Sequence, residues 1–278
     1  MPWLTRPLDY TPKRIVSLNP SITEFLFVAG AGDRVVGRDV FSYRPREALR
    51  VPHVASFTSA DLDSVKALRP DLIIAYYPVQ KELVGALDEI APVAVVETPA
   101  DIYHAVVNFR FIAKALDVEE QGEHVAGVYL DLFKGYPPAV EDVLVVFSLG
   151  GYEAACSGSF TASALDAAGL RYTRKLRCSY RAAGPELIEA VDPGLIIFED
   201  KLKEYREAHV AWIKRLRCRA CRGGVVVTPN DTLAHYGPSL PLDVARVREA
   251  ALRGAQFVEG VSSVVRPSLS EGWYSPYL

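Results

Sequence analysis

The sequence predicts an α/β fold of two similar lobes, each a mostly parallel sheet flanked by helices, joined by a long interlobe helix with a ligand cleft between them. A repeat and a helical tract carry that expectation. Asp63-Ser-Val-Lys-Ala-Leu-Arg-Pro-Asp-Leu-Ile-Ile and Glu186-Leu-Ile-Glu-Ala-Val-Asp-Pro-Gly-Leu-Ile-Ile share an acid, a helical apolar rhythm, a proline seven residues after the acid and a closing Leu-Ile-Ile run. Proline lacks the N–H a helix needs and its ring clashes with the preceding turn, so the helix must stop there. An unbroken apolar run after the stop suits a strand covered on both faces. Such a unit can arise by chance in any α/β protein. Here, however, its two copies flank a purely helical stretch, in which Val106, Phe109, Ile112, Ala113 and Leu116 recur at helical spacing without glycine or proline. At 1.5 Å per residue, the roughly 15 residues from Ile102 to Leu116 span about 22 Å, enough to run from one lobe to the next.

The elements follow in order. Arg14 to Leu18 reads as the first strand and Asn19-Pro20-Ser21 as a turn. Ser21 is placed to cap a helix, and Glu24 three residues on completes a capping box; the apolar stretch Ile22 to Val28 then runs to Gly30. Val35 to Gly37 is a short strand, Arg38 to Thr58 is loop-rich, and Leu62 to Leu68 is the first repeated helix. A strand at Leu72 to Ala75, a helix at Gln80 to Leu87 and a strand at Val93 to Val96 complete a β-then-α alternation, the mark of a parallel sheet. A second linker helix, Glu119 to Phe133, ends at Gly135-Tyr-Pro-Pro. Val143 to Phe147 opens the second lobe, with helices at Ala162 to Ala168, Glu186 to Ala190 and Glu204 to Leu216 and strands at Leu195 to Phe198 and Val225 to Val227. A helix at Leu242 to Leu252 precedes a tail rich in serine and tyrosine. The expected division is a lobe over 1–100, a helical linker over 101–138 and a second lobe with tail over 139–278. A helical crossing has no soft joint, so closure on a ligand should be small.

Composition excludes several classes. Half of the 278 residues are hydrophobic and the net charge is −3, which argues against disorder and against a basic nucleic-acid surface. No apolar run approaches the ~20 residues that cross a bilayer. The start, Met1-Pro-Trp-Leu-Thr-Arg-Pro, lacks the apolar core of a signal peptide and a lipid-anchor cysteine. As written the chain is therefore expected to be cytoplasmic, and extracytoplasmic if it was trimmed; a monomer is expected in either place. A single methionine with abundant arginine and valine leans toward a heat-adapted composition. Cys218-Arg-Ala-Cys221 has the spacing of half a zinc site or of a redox pair, yet no second such pair accompanies it. A Cys218–Cys221 disulfide or free thiols is the preferred reading, and Cys156 and Cys178 could pair as well.

Enzyme signatures are absent: there is no nucleophile elbow, phosphate loop, zinc-protease motif or dinucleotide fingerprint. The five histidines show no ligand spacing; His53 and His235, in loop-rich stretches of opposite lobes, remain the candidates for axial ligands of a cleft-bound metal group. Loop aromatics are more telling, because loops after the carboxyl ends of parallel strands are where such sheets take ligands. Phe41, Tyr43, Phe57, Tyr76 and Tyr77 in the first half, and Tyr152, Phe160 and Tyr236 in the second, sit at such ends. Flat aromatic faces suit a bulky, partly planar ligand such as a corrin, a porphyrin or a siderophore; each residue could equally be an ordinary half-buried aromatic. Gly150-Gly151-Tyr152 and Ser157-Gly158-Ser159 would let backbone approach a ligand, or merely turn. Asp63 and Glu186 open equivalent helices, where the macrodipole alone favours a carboxylate.

The order of these motifs resembles a known family. Arg14-Ile-Val-Ser-Leu-Asn-Pro-Ser-Ile-Thr-Glu24, then Ala67-Leu-Arg-Pro-Asp-Leu-Ile-Ile74, an all-helical linker and a second such lobe look like the helical-backbone substrate-binding proteins of ABC importers, closest to their cobalamin-binding branch. The resemblance covers residues 14–255. It implies a non-catalytic protein that holds a metal-containing ligand, cobalamin or another corrinoid first and an iron-siderophore or heme as the alternative, for delivery to an ABC permease dimer. It implies ligand contacts from Tyr43, Phe57, Tyr76, Tyr77 and Tyr152, with Ser159 and Tyr236 beside them, and permease docking through Asp63 and Glu186. Other readings stay open: an unexported cofactor carrier, a regulatory relative whose cleft is filled by its own Ser268–Tyr274 tail, and a metal-dependent enzyme using His53, His235 and the cysteines.

Overall fold

The computed structural model describes residues 1–148, 151–200, 206–229 and 231–258. The first sheet is built from β1 (Trp3–Leu4), β2 (Ile15–Ser17), β3 (Val35–Asp39), β4 (His53–Ala55), β5 (Leu72–Tyr77) and β6 (Val93–Glu97) in the order β1-β6-β5-β2-β3-β4. All neighbours are parallel except β1, which runs antiparallel to β6. Alternate side chains point to opposite faces, and here both faces are covered. Val16, Ile73, Ala75, Val93 and Val95 lie with residues of α2 (Leu62–Ala67) and α3 (Val84–Asp88) in one cluster. Ile15, Leu72, Ile74, Ala94 and Val96 lie in another with α1 (Pro20–Val28) and α4 (Ile102–Ala115). This double burial is why the strands read as unbroken apolar runs.

α4 and α5 (Glu119–Asp131) form a helical hairpin, and α4 meets α1 on one side and α6 (Phe160–Ala167) on the other. Gly122 permits the close approach of the two helices: a Cβ there would stand 2.3 Å from that of Ala113. Phe109 stacks on Phe25 at 4.9 Å and meets Tyr129 edge-on at 5.6 Å. The expected crossing helix thus exists as one arm of a hairpin. Its apolar cluster continues into the second sheet through Val143, Val145 and Phe147, so one core joins the two halves.

The second sheet contains β7 (Val140–Ser148), β8 (Tyr152–Ala155), β9 (Leu170–Tyr172), β10 (Tyr180–Ala182), β11 (Leu195–Asp200) and β12 (Val225–Pro229). Its order is β10-β8-β7-β11-β12, with β9 pairing the start of β7. β7, β9, β11 and β12 are parallel; β8 and β10 are antiparallel. Helices α7 (Pro185–Val191), α8 (Arg206–Ile213) and α9 (Leu240–Arg253) complete the lobe. β8, β9 and β10 were not expected from sequence: three or four residues are too few to show a period. Disulfides join Cys156 to Cys178 and Cys218 to Cys221. Among the described residues no helix is long and apolar enough to cross a membrane. Gly150 and the Ser268–Tyr274 tail lie outside the described residues.

Candidate ligand-binding cleft

The capping-box expectation at α1 is corrected by the structure. Asn19, not Ser21, is the cap: its Oδ1 accepts from the Ile22 N–H at 3.0 Å, and Pro20 occupies the first helical position, where a missing N–H costs nothing. Ser21 and Glu24 are thereby released to face the second lobe. The Tyr236 N–H donates to Ser21 Oγ at 3.0 Å, and the Ser239 N–H donates to Glu24 Oε1 at 2.8 Å. Gly237 makes this approach possible, since a Cβ there would fall 2.1 Å from Glu24 Oε2.

A cavity of about 570 Å³ opens between the lobes beside this seam. First-lobe residues on its wall follow the carboxyl ends of parallel strands: Asn19 to Glu24 after β2, Phe41, Tyr43 and Arg44 after β3, Phe57 after β4, and Tyr76 near the end of β5. The second lobe contributes Phe147 from β7, Glu153 from β8, Tyr180 from β10 and Asp231 to Tyr236 after β12. Phe41, Phe57 and Tyr180 leave 46%, 48% and 41% of their surface exposed, an apolar platform that water covers poorly. Phe57 meets both Phe41 and Tyr76 edge-on at 6.3 Å. The phenols of Tyr76, Tyr180 and Tyr236 all line this cavity, and burial pushes the Tyr76 phenol up to about 12.

Two local networks hold the first-lobe aromatics. Asp39 Oδ1 accepts from the Phe41 N–H at 2.7 Å, and the Ser42 hydroxyl donates to Asp39 and lies 2.9 Å from Thr23 Oγ1, which pins the loop after β3 onto α1. Gln80 Nε2 donates to the carbonyls of Leu18 and Phe57 at 3.0 and 3.2 Å while its Oε1 accepts from the Tyr76 N–H at 3.0 Å.

Behind the aromatic wall lies a charged seam. The Tyr43 hydroxyl donates to Asp231 Oδ2 at 2.7 Å, and Arg44 Nη2 donates to the Asp231 carbonyl at 3.0 Å and stands 3.5 Å from Asp243 Oδ2. His235 Nε2 lies 3.2 Å from Asp243 Oδ2, and its Nδ1 accepts from the Gly237 N–H at 3.3 Å. Burial, then the nearby Arg44 charge, pushes the imidazole down to about 4, so it is neutral near pH 7. Burial likewise pushes the Glu24 carboxyl up to about 7, against the pull of Arg44.

The structure therefore brings Tyr43, Phe57, Tyr76 and Tyr236 to one wall and places other expected residues elsewhere. Tyr77 points to the opposite face of β5 from Tyr76 and packs edge-on against Trp3 at 5.4 Å. Tyr152 stacks on Trp212 at 4.5 Å and bonds His209, while Glu153 beside it faces the cavity. Ser159 is buried as the cap of α6, its Oγ accepting from the Ala162 N–H. Phe160 lies behind the wall, edge-on to Tyr236 at 4.7 Å. His53 is exposed on β4, away from the cavity, and His235 reaches the cavity with both ring nitrogens engaged, so neither stands ready as an axial ligand. Asp63 and Glu186 are exposed in the first turns of α2 and α7. Sequence reasoning missed Arg44, Phe147, Glu153, Tyr180 and Asp231 and misassigned Glu24. The spacing of Ser21 and Glu24 was a true signal whose alternative meaning, a polar edge on an otherwise apolar helix, points across the cleft.

Known proteins resemble this chain at two levels. A vitamin B12-binding protein of Yersinia pestis is 41% identical over 73 residues, 26% of this chain and 26% of that protein; the match thus spans about a quarter of the curated relatives' length. Over nearly the whole fold, a periplasmic heme binding protein from Pseudomonas aeruginosa superposes with a TM-score of 0.71 at 24% identity, covering 92% of this chain and 100% of that one. The periplasmic vitamin B12 binding protein of Vibrio cholerae gives 0.68 at 20% identity, covering 88% and 98%. At such identities the likeness is one of fold. Residues 15–211, well over half of the chain, match the sequence family described as periplasmic binding protein, and the chain belongs to that family.

Proposed function

We propose that this protein is the substrate-binding component of an ABC-type importer and holds a bulky metal chelate, a corrinoid foremost, in the cavity between its lobes. The observation that carries this reading is the half-exposed aromatic platform of Phe41, Phe57 and Tyr180 on a cavity of about 570 Å³. A flat ligand laid on these faces removes apolar surface from water on both sides at little conformational cost. Heme and iron-siderophores share that flat or bulky apolar character and are the alternative ligands. On this reading the protein acts outside the cytoplasm and changes no bond in its ligand. Asp63 and Glu186, exposed at the same position of the two repeated helices, are the contacts for a permease dimer.

Isothermal titration with cyanocobalamin, hemin and a ferric siderophore tests the proposal. One-to-one saturable binding of one of them at micromolar concentration or below is expected. Silence toward all three would overturn it.

A further inference from the structure

Among the described residues Arg44 is the only lysine or arginine on the cavity wall, and it is only 6% exposed. Its Nη2 donates to the Asp231 carbonyl at 3.0 Å and stands 3.5 Å from Asp243 Oδ2. Nε and Nη1 are shielded from water and meet no acceptor in the protein. A guanidinium keeps its charge at any physiological pH and carries five N–H donors, and buried donors are nearly always paired. The wall's own carboxylates answer other groups. Asp231 Oδ2 accepts from the Tyr43 hydroxyl, and the buried Glu24 accepts from the Ser239 N–H. Glu153 is exposed on β8, in the opposite lobe. Burial raises the phenols of Tyr76, Tyr180 and Tyr236, so they stay protonated near pH 7 and add O–H donors to the same wall. A carboxylate on a ligand seated here would bring several lone pairs and a charge opposite to that of the guanidinium.

This inference rests on the reading of the cavity as a metal-chelate site and specifies the chelate's rim. We propose that Arg44 receives a carboxylate of the ligand through Nε and Nη1, so that the cleft prefers a metal chelate with a free carboxylate on its rim over the same chelate with that group masked. Arg44 suits that role because the contacts of Nη2 and the Tyr43 ring, 5.6 Å from the guanidinium carbon, hold it at the wall before a ligand arrives. A charge fixed in this way loses little freedom on binding.

Matched ligands test the proposal in calorimetric titration of the full chain near pH 7. One set is hemin, with its free propionates, against hemin dimethyl ester. The other is the cyanocobalamin monocarboxylic acids, each with one side-chain amide hydrolysed, against cyanocobalamin itself. Within a set that binds, the acid, or the best placed of the acids, should bind at least about tenfold tighter than the masked member. Arg44→Gln should bring the members to within about threefold of each other, while Arg44→Lys, which keeps the charge but not the planar donors, should retain part of the preference. Each ratio is taken within one protein, so a general weakening of the seam cancels, and the lysine variant serves if the glutamine variant does not fold. Equal or tighter binding of the masked member, or a preference that the variants keep in full, would overturn the proposal. If no member of either set binds, the metal-chelate reading itself fails and this inference falls with it.

Discussion

The two lobes share one unit and differ in everything beside it. α2 leads into β5, which pairs β2 and β6; α7 leads into β11, which pairs β7 and β12. On the far side of β2 the first sheet continues with parallel β3 and β4, whereas on the far side of β7 the second turns antiparallel into β8 and β10. Much of the cavity wall comes from these unshared parts. Phe41, Tyr43, Arg44 and Phe57 follow β3 and β4; Glu153 and Tyr180 lie on β8 and β10. The repeat thus frames the molecule, and much of the cavity wall sits where the repeat breaks. The lobes also hold their walls differently. Asp39, Ser42, Thr23 and Gln80 fix the first through hydrogen bonds, while the Cys156–Cys178 disulfide closes the segment that carries Tyr180's edge strand onto β8.

That contrast is sharpened most by removing the disulfides one at a time. Cys156→Ser with Cys178→Ser opens a loop with a sequence separation of 22 and should cost about 3 kcal/mol by the chain-entropy relation. Cys218→Ser with Cys221→Ser, at a separation of 3, should cost about 2 kcal/mol and leave the cavity unaffected. Urea denaturation measures both, and equal losses would break the claim that the hairpin depends on its cross-link.

Glu24→Gln tests the seam. The folded carboxyl, pushed up to about 7 from 4.5, keeps a proton that the unfolded chain releases first, so its contribution to stability falls as pH rises from about 4.5 to 7. The variant retains an acceptor for Ser239 and removes that fall. It should match the wild type near pH 4.5 and exceed it above pH 7, by a margin on the order of 3 kcal/mol. His235 acts in the opposite sense: its folded value is pushed down to about 4, so its contribution is lost as pH falls from 6.5 toward 4. In Glu24→Gln that acid-side loss stands uncompensated, and thermal melts across this range should show a steeper slope. Superimposable profiles of variant and wild type would contradict the assignment.

A smaller effect separates two neighbours on one strand. Tyr152 stacks outside the cavity and Glu153 faces it. Tyr152→Ala should cost roughly 1–2 kcal/mol of stability through lost ring packing and leave ligand affinity within about twofold. A large affinity loss at unchanged stability would return Tyr152 to the site.

These neighbours also show what was legible in the sequence. The repeat, the strands with Leu-Ile-Ile runs and the long linker helix announce themselves through local periodicity, and they stand within a few residues of their expected places. β8, β9 and β10 are defined by partners distant in sequence and leave no local trace. The cleft was legible to the level of the loop but not of the side chain. Tyr76 and Tyr77, like Glu153 and Tyr152, lie at the same strand end, and only the register decides which of each pair turns inward. The charged seam was least legible, since Glu24, Arg44, Asp231, His235 and Asp243 come together only across the lobes.

The central claim is that the aromatic platform takes a metal chelate. Its most direct test compares the wild type with the Phe41→Ala, Phe57→Ala double variant in calorimetric titration with cyanocobalamin and hemin. The wild type should bind a chelate one-to-one, and the variant should lose about 10- to 100-fold in affinity with its melting transition still cooperative. No binding by the wild type, or equal affinity in both proteins, would contradict it.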